Sequence, residues 1–498
     1  MRILPALPIL LPMAAALVLS LLRDDQRRAH SVALGGAVLH LTAAILLLTA
    51  VLKHEVAVLW VGNWPAPFGI CLAADYLSAV MVLITAVIHT AVTAYARHDI
   101  DPGQVGTGFY PFMQMLTAAV CGAFLTGDLF NLYVWFEVIL MASFGLLVMG
   151  RSPGRFTGAV KYVTVNLIAT LFFITAIGLI YGLTGTLNMA DLHAKAAGVE
   201  NTALLNATAM LLMIAFGIKA ALFPLFFWLP AAYHTLPVSV SAFFAGMLSK
   251  VGVYALIRMF TLVFTADTGA THATLLVVAA LTMLFGVVGA ASQMEMRRIL
   301  SFHIISQVGY MVLGLALFTP LALAGAIVYL IHHIIVKANL FLVSGLVQQA
   351  GGTFNLKKIG GLYRSHGLLA IGFIIPAFAL AGFPPLSGFW AKLLIIKASL
   401  ESQQYTLAIL SAAVGLLTVF SMIKIWSEAF WKPAPNQRQV SSVKCPLSPW
   451  MLAPVLFLAL VTVVLGLCME PVIRFSVSAA GQLMDPQVYI EAVLGGRP

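Results

Sequence analysis

Long, almost unbroken apolar runs alternate with short polar stretches along the whole chain. A helix needs roughly 20 apolar residues to cross the hydrocarbon core of a bilayer. Fourteen runs qualify, at about 2–22, 31–52, 70–95, 109–126, 129–149, 157–181, 203–230, 236–262, 272–292, 298–318, 321–348, 367–400, 405–431 and 449–470. The pattern predicts an all-α polytopic membrane protein of about 14 transmembrane helices. The first run, MRILPALPILLPMAAALVLSLLRDDQRR, has the look of a secretory leader. Its apolar part is about twenty residues and ends in a charge cluster, not a small-residue cleavage site, so it reads as the first span.

Charge supports the count. Fifteen of the 27 lysines and arginines fall in alternate connections, beginning with Arg23, Arg27 and Arg28, and five in the opposite set: Arg2, Lys53, Lys195, Arg474 and Arg497. The excess of basic residues marks the cytoplasmic side, which places both termini outside. A wrong number of spans would scramble this asymmetry.

Composition removes other classes. Of 498 residues, 61% are hydrophobic and 9% charged, against about 25% charged in a soluble domain. The net charge of +10 is spread over short loops and does not form the clustered basic face that a nucleic acid would require. Cys71, Cys121, Cys445 and Cys468 are far apart, with neither metal-ligand nor disulfide spacing. No nucleotide loop or nucleophile motif is present, so no cofactor is expected and a membrane-embedded enzyme or scaffold is the weakest reading.

The chemistry lies inside the spans. An ionisable residue at membrane depth costs roughly 3 kcal/mol on insertion scales and marks a functional site by default. The stretch FGIKAALFPLFFWLPAAYHTLPVSVSAFFAGMLSKVGVYALIR, 216–258, holds Lys219 and Lys250 with Pro224, Pro230 and Pro237. Prolines free backbone carbonyls, which is tolerated at depth only where protein or a water-filled cavity covers them. Glu137 is the one acid well inside a span, the others, such as Asp75 and Glu428, lying in loops or near span ends. Opposed to Lys219 it makes a pair whose closing and opening would switch protonation. The alternative is a static salt bridge.

Lys250 lies over a dozen residues into its span, too deep to snorkel, with Tyr254 on the same face. His333 and Lys337 share a face with Tyr329, and His332 points about 100° away. Histidine both takes and gives a proton near neutral pH. Lys392 follows the Pro384–Pro385 break and forms the natural last station. Lys397, Lys424 and Arg258 lie nearer span ends and read as snorkelling or helix contacts. His234 reads equally as a capping residue or a relay member.

The segments 216–230 and 376–395 look like copies: each is apolar, broken by proline midway and accompanied by lysine. They are five spans apart, hence oppositely oriented, and inverted repeats with matched broken helices point to a transport site.

The run HTLPVSVSAFFAGMLSKVGVYALIR resembles the signature of the antiporter-like membrane subunits shared by respiratory complex I and the multisubunit Mrp-type Na+/H+ antiporters. The fifth-span glutamate, the lysine before LFPLFFWLP and the segment GFPPLSGFWAK also match, over nearly the whole chain. The chain is most similar to the D-type subunits of the Mrp branch. The largest complex I relative carries a long lateral helix for which there is no room here, and another has glutamate where this chain has Lys392.

The resemblance implies two inverted five-helix repeats, spans 4–8 and 9–13, with broken helices 7 and 12. It divides the chain into 1–108, 109–262, 263–431 and 432–498. It further implies a mid-membrane proton relay through Glu137, Lys219, Lys250, His332, His333, Lys337 and Lys392, the share of each of His332, His333 and Lys337 being open. The expected function is a proton-translocating subunit of a monovalent cation (Na+)/proton antiporter in the cytoplasmic membrane. Its partners would be other subunits of a hetero-oligomeric complex, protons, Na+ or another monovalent cation, and the lipid bilayer. The alternative is a proton-pumping subunit of an NADH:quinone oxidoreductase or a membrane-bound hydrogenase. No cluster of acids within the spans marks a metal or cation site.

Overall fold

The structure, a computed structural model, describes residues 3–22, 25–65, 67–149, 153–265, 268–433 and 447–495. Of the chain's lysines, arginines and cysteines, Arg2, Arg23, Arg151, Arg438, Lys444, Arg497 and Cys445 lie outside them. The helices are α1 (Leu7–Leu21), α2 (Gln26–His54), α3 (Tyr76–Asp99), α4 (Phe109–Leu125), α5 (Leu129–Val148), α6 (Pro153–Thr184), α7 (Thr202–Ala220), α8 (Val238–Leu262) and α9 (Thr268–Ser292). They continue as α10 (Met296–Leu317), α11 (Pro320–Gly351), α12 (Gly367–Ala381), α13 (Ser387–Glu401), α14 (Tyr405–Ile425), α15 (Pro449–Leu467), α16 (Met469–Met484) and α17 (Gln487–Leu494).

Among the described residues, 12 helices are long and apolar enough to span a membrane. Two further crossings are shorter: α4, of 17 residues, and the broken pair α12 and α13, of 15 residues each. Together they match the fourteen runs. The expected third span begins late because Cys71–Ala74 is a strand, paired antiparallel with Ala57–Trp60.

Polar side chains set the helix starts. Asp75 accepts from the Ser78 amide (2.9 Å) and closes a reciprocal box with the Ser78 hydroxyl at α3. Asp128 caps α5, Glu295 caps α10 and Thr319 caps α11. Each satisfies an amide that a bare helix terminus leaves unpaired.

Burial separates the crossings. The most apolar windows of α8 and α11 are wholly buried and that of α10 nearly so, while α1, α2, α9, α14 and α15 are mostly outward-facing. Lys219, Lys250, His332, His333, Lys337 and Lys392 are all buried, surrounded by protein rather than lipid.

Candidate functional site

The first break positions Lys219. Helix α7 ends at Ala221, in a left-handed conformation with φ 61°. The amides of Ala221 and Leu222 fold back on the carbonyls of Ile218 and Gly217, a Schellman-type ending. Trp228 Nε1 donates to the Ile218 carbonyl (3.1 Å) and the Phe223 amide to Thr282 Oγ1 (3.0 Å), so the interrupted backbone is held by partners. Lys219 lies in the last turn of α7, and its ammonium is buried, 5.6 Å over the Phe136 ring.

Gly252 makes this approach possible. A Cβ there would lie 2.5 Å from the Ala220 nitrogen and 2.9 Å from the Lys219 carbonyl carbon. Helix α8 therefore rests directly on the backbone of the break.

Glu137 is partly exposed on the flank of α5 and accepts from Thr170 Oγ1 at 2.6 Å. It forms no ion pair with Lys219 among the described residues. The two are close enough to interact electrostatically, but the contact expected from the sequence is open in this conformation.

On α8, Lys250 is fully buried and donates to the Ala245 carbonyl (2.6 Å). One turn on, Tyr254 donates to the Phe124 carbonyl (2.6 Å) and accepts from the Arg258 guanidinium (3.1 Å). Arg258 does not snorkel: it is buried and paired with Asp75 at 2.6 Å. The reason is the bundle itself, which places the start of α3 beside the last turns of α8. Lys424 also stays inside, donating to the carbonyls of Ala291 (2.8 Å) and Gln293 (2.7 Å) at the end of α9, whereas exposed Lys397 pairs with Glu401.

Helices α10 and α11 carry the middle of the site. Lys337 donates to the Leu300 carbonyl (3.1 Å). His333 beside it has no hydrogen-bond partner on either ring nitrogen, and neither has His303 across from it on α10. Tyr329 bonds Gln307 Oε1 and stacks on Tyr310 with ring centroids 5.2 Å apart. Tyr310 in turn donates to the Ser411 carbonyl (2.5 Å). His332 Nδ1 lies 2.8 Å from Ser387 Oγ on α13. An unmet buried polar atom costs about 1–3 kcal/mol, so a row with this many is favourable only when water serves it.

The second break repeats the first. Helix α12 ends at Gly382, left-handed at φ 93°. Lys392 reaches back from α13 to cap the freed carbonyls of Leu380 (3.0 Å) and Ala381 (2.8 Å), 5.7 Å over the Tyr310 ring. Gly388 permits the approach: a Cβ there would meet the Ala379 carbonyl at 1.8 Å and His332 Nε2 at 2.7 Å. Lys392 thus caps the negative end of its half-helix, whereas the Lys219 ammonium lies over an aromatic ring.

The structure therefore brings Lys250, His333, Lys337, His332 and Lys392 into one buried row, with Lys219 at one end and Glu137 displaced from it. Sequence reading missed His303, Gln307 and Tyr310. Their spacing of i, i+4 and i+7 on α10 gives one polar stripe in an apolar helix, the signal that finds them. His234 caps instead: its Nδ1 lies 2.7 Å from the Pro230 carbonyl and its Nε2 takes Arg298 at 3.1 Å. Burial, then the charge of Arg298, hold its pKa down to about 4. No group of three metal-ligating side chains occurs among the described residues. A cavity of about 1080 Å³ is an apolar groove on the outside of α12 and the turn Trp426–Trp431 that follows α14, lined by Tyr363, Trp426 and Trp431.

A bundle of about fourteen crossings with two helix breaks, each beside a buried lysine on a titratable row, defines an ion-translocating membrane protein. Residues 126–418 match the family described as NADH:quinone oxidoreductase/Mrp antiporter, TM, and the chain belongs to that family. It is 45% identical over 488 residues to the D-type subunit of the Na+/H+ antiporter of Alkalihalophilus pseudofirmus, covering 98% of each chain. A chain of the Mrp complex from Dietzia sp. DQ12-45-1b superposes with TM-score 0.92 at 35% identity, over 99% of this chain and 100% of that one. A chain of respiratory complex I from Thermus thermophilus shares the fold, with TM-score 0.83 at 24% identity over 99% and 100%.

Proposed function

We propose that this chain is the proton-translocating subunit of a multisubunit Na+/H+ antiporter of the cytoplasmic membrane. The observation that carries the reading is the row of Lys219, Lys250, His333, Lys337 and Lys392, each buried, with imidazole nitrogens left unpartnered between lysines. Protons enter near Lys219, pass Lys250 and the His332–His333–Lys337 cluster, and leave near Lys392. A membrane potential supplies about 2.3 kcal/mol per charge per 100 mV, enough to offset part of the desolvation of a buried ammonium. Movement of Glu137 toward or away from Lys219 couples this flow to the neighbouring subunits, and the hydrogen bond from Thr170, with the Lys219 contact open, is one end of that movement.

In this reading residues 109–262 and 263–431 are inverted repeats, 1–108 and 432–498 flank them, and both termini are extracytoplasmic. The antiported ion is Na+ or another monovalent cation. The test is dye-monitored Na+/H+ exchange in membrane vesicles holding the whole complex. Glu137→Ala and Lys219→Ala should each abolish exchange while native gels show the complex assembled. Wild-type exchange in either variant refutes the relay. Iron–sulfur or flavin absorbance in the purified complex would replace this reading with a redox-driven pump.

A further inference from the structure

Thr282, on α9, is buried and lies outside the titratable row, yet it touches the first helix break. In a continuous helix the Phe223 amide would donate to the Lys219 carbonyl, four residues back. Here it donates to Thr282 Oγ1 instead (3.0 Å). The amides of Ala221 and Leu222 turn back on Ile218 and Gly217, and residue 224 is a proline, which has no amide hydrogen. The carbonyls of Lys219 and Ala220 therefore accept no hydrogen bond among the described residues. The second break differs at this point. There the Lys392 ammonium covers the freed carbonyls of Leu380 and Ala381, whereas the Lys219 ammonium lies over a ring and leaves its own carbonyl bare.

Thr282 is fixed where it stands. Its hydroxyl donates to the Val278 carbonyl (2.6 Å), which leaves the oxygen as the acceptor for Phe223. One turn on, Phe285 stacks on the Phe223 ring with centroids 4.7 Å apart, so backbone and side chain of Phe223 both rest on α9. Helix α9 cannot give way, because it meets α10 backbone to backbone. A Cβ on Gly286 would lie 2.4 Å from the Ser306 nitrogen, and one on Gly309 would lie 2.8 Å from the Met283 nitrogen. Ser306 Oγ donates across the same contact to the Met283 carbonyl (3.1 Å). Thr282, next to Met283, reaches the break in a set register.

We propose that Thr282 is a positioning residue for proton entry at Lys219, an inference that rests on the proton-relay reading above. By holding the Phe223 amide it stops the turn from closing on the Lys219 carbonyl. A carbonyl freed at membrane depth is tolerated only where protein or a water-filled cavity covers it. No donor among the described residues covers these two, so water serves them, on the residue whose ammonium takes up the proton. Without the Thr282 oxygen, the amide and the Lys219 carbonyl would both be unmet. Pairing them, as an unbroken helix does, relieves that cost and shuts the water out. Glu137 on α5 acts electrostatically on Lys219, and Tyr162 on α6 acts on Glu137. Helix α8 adds Lys250, two residues before Gly252. On α9 the titratable side chain is His272, about three turns from Thr282.

The experiment is Na+/H+ exchange by the assembled complex across a range of pH, with Thr282→Val, Thr282→Ala and Thr282→Ser. Val and Ala remove the acceptor and should lower the rate by about ten-fold at the alkaline end, the scale of one buried hydrogen bond. The deficit should shrink toward acid pH, because entry limits exchange when protons are scarce. Thr282→Ser keeps the hydroxyl and should rescue the rate throughout. Where Val fails to assemble on native gels, Ala against Ser decides. Wild-type profiles in Val and Ala overturn the proposal. So does a deficit of one constant factor at every pH, which a loss of packing alone predicts, or a Ser variant that falls with Val. In each of these cases Lys219→Ala remains inactive. Exchange in Lys219→Ala overturns the proton-relay reading instead.

Discussion

Replacing Asp75 by Asn should destabilise the protein through one buried charge. The Asp75 carboxylate and Arg258 guanidinium are 2.6 Å apart, with side-chain exposures of 2% and 5%. Asparagine keeps the N-cap of α3, because Asp75 meets the Ser78 amide through a side-chain oxygen that Asn also has. What is lost is the neutralising charge. Two unit charges about 4 Å apart at an effective dielectric near 20 attract by about 4 kcal/mol, and leaving one buried partner alone typically costs about 3–5 kcal/mol. Tyr254 and the Tyr489 ring, 5.2 Å from the guanidinium, remain as poor substitutes. In a chain of this size 1 kcal/mol moves the Tm by about 2 °C or less, so Asp75→Asn should lower it by about 5 °C. Thermal unfolding in detergent followed by size-exclusion fluorescence measures this. The double variant Asp75→Asn with Arg258→Met should regain at least half the loss, since no charge is then stranded. An unchanged Tm for Asp75→Asn, or a double variant no better than the single, refutes the argument.

Gly252→Ala should push α8 off the first helix break, because its Cβ would fall 2.5 Å from the Ala220 nitrogen. Overpacking of this kind costs about 1–3 kcal/mol, and exchange should fall along with Tm; Gly246→Ala, whose nearest neighbour would lie at 3.6 Å, should do neither. Lys424→Met should cost about 1–2 kcal/mol in the same unfolding assay by removing the cation from the carbonyl end of α9, with no loss of complex assembly on native gels.

Membrane class, the number of crossings and which lysines and histidines lie within the long apolar helices were legible in the chain alone. Those follow from local rules: a run of apolar residues must span, and a lysine in its middle must be buried or functional. Proline likewise marked both helix breaks, because it cannot supply the missing amide, whereas the left-handed residue is Gly382 at the second break but Ala221 at the first, which no local rule picks out.

Tertiary packing settled who meets whom. Nothing local separates Arg258, which pairs with Asp75 nearly two hundred residues away, from Lys397, which faces outward. The same holds for His303, which looks like a lone core histidine until α10 packs on α11 and sets it among lysines. It holds again for Glu137, whose distance from Lys219 depends on how α5 and α7 lie against each other. Periodicity fixes which face of a helix a side chain occupies, but a helix face has several possible neighbours. Only the assembled bundle, with its crossings seated on Gly252 and Gly388, selects among them.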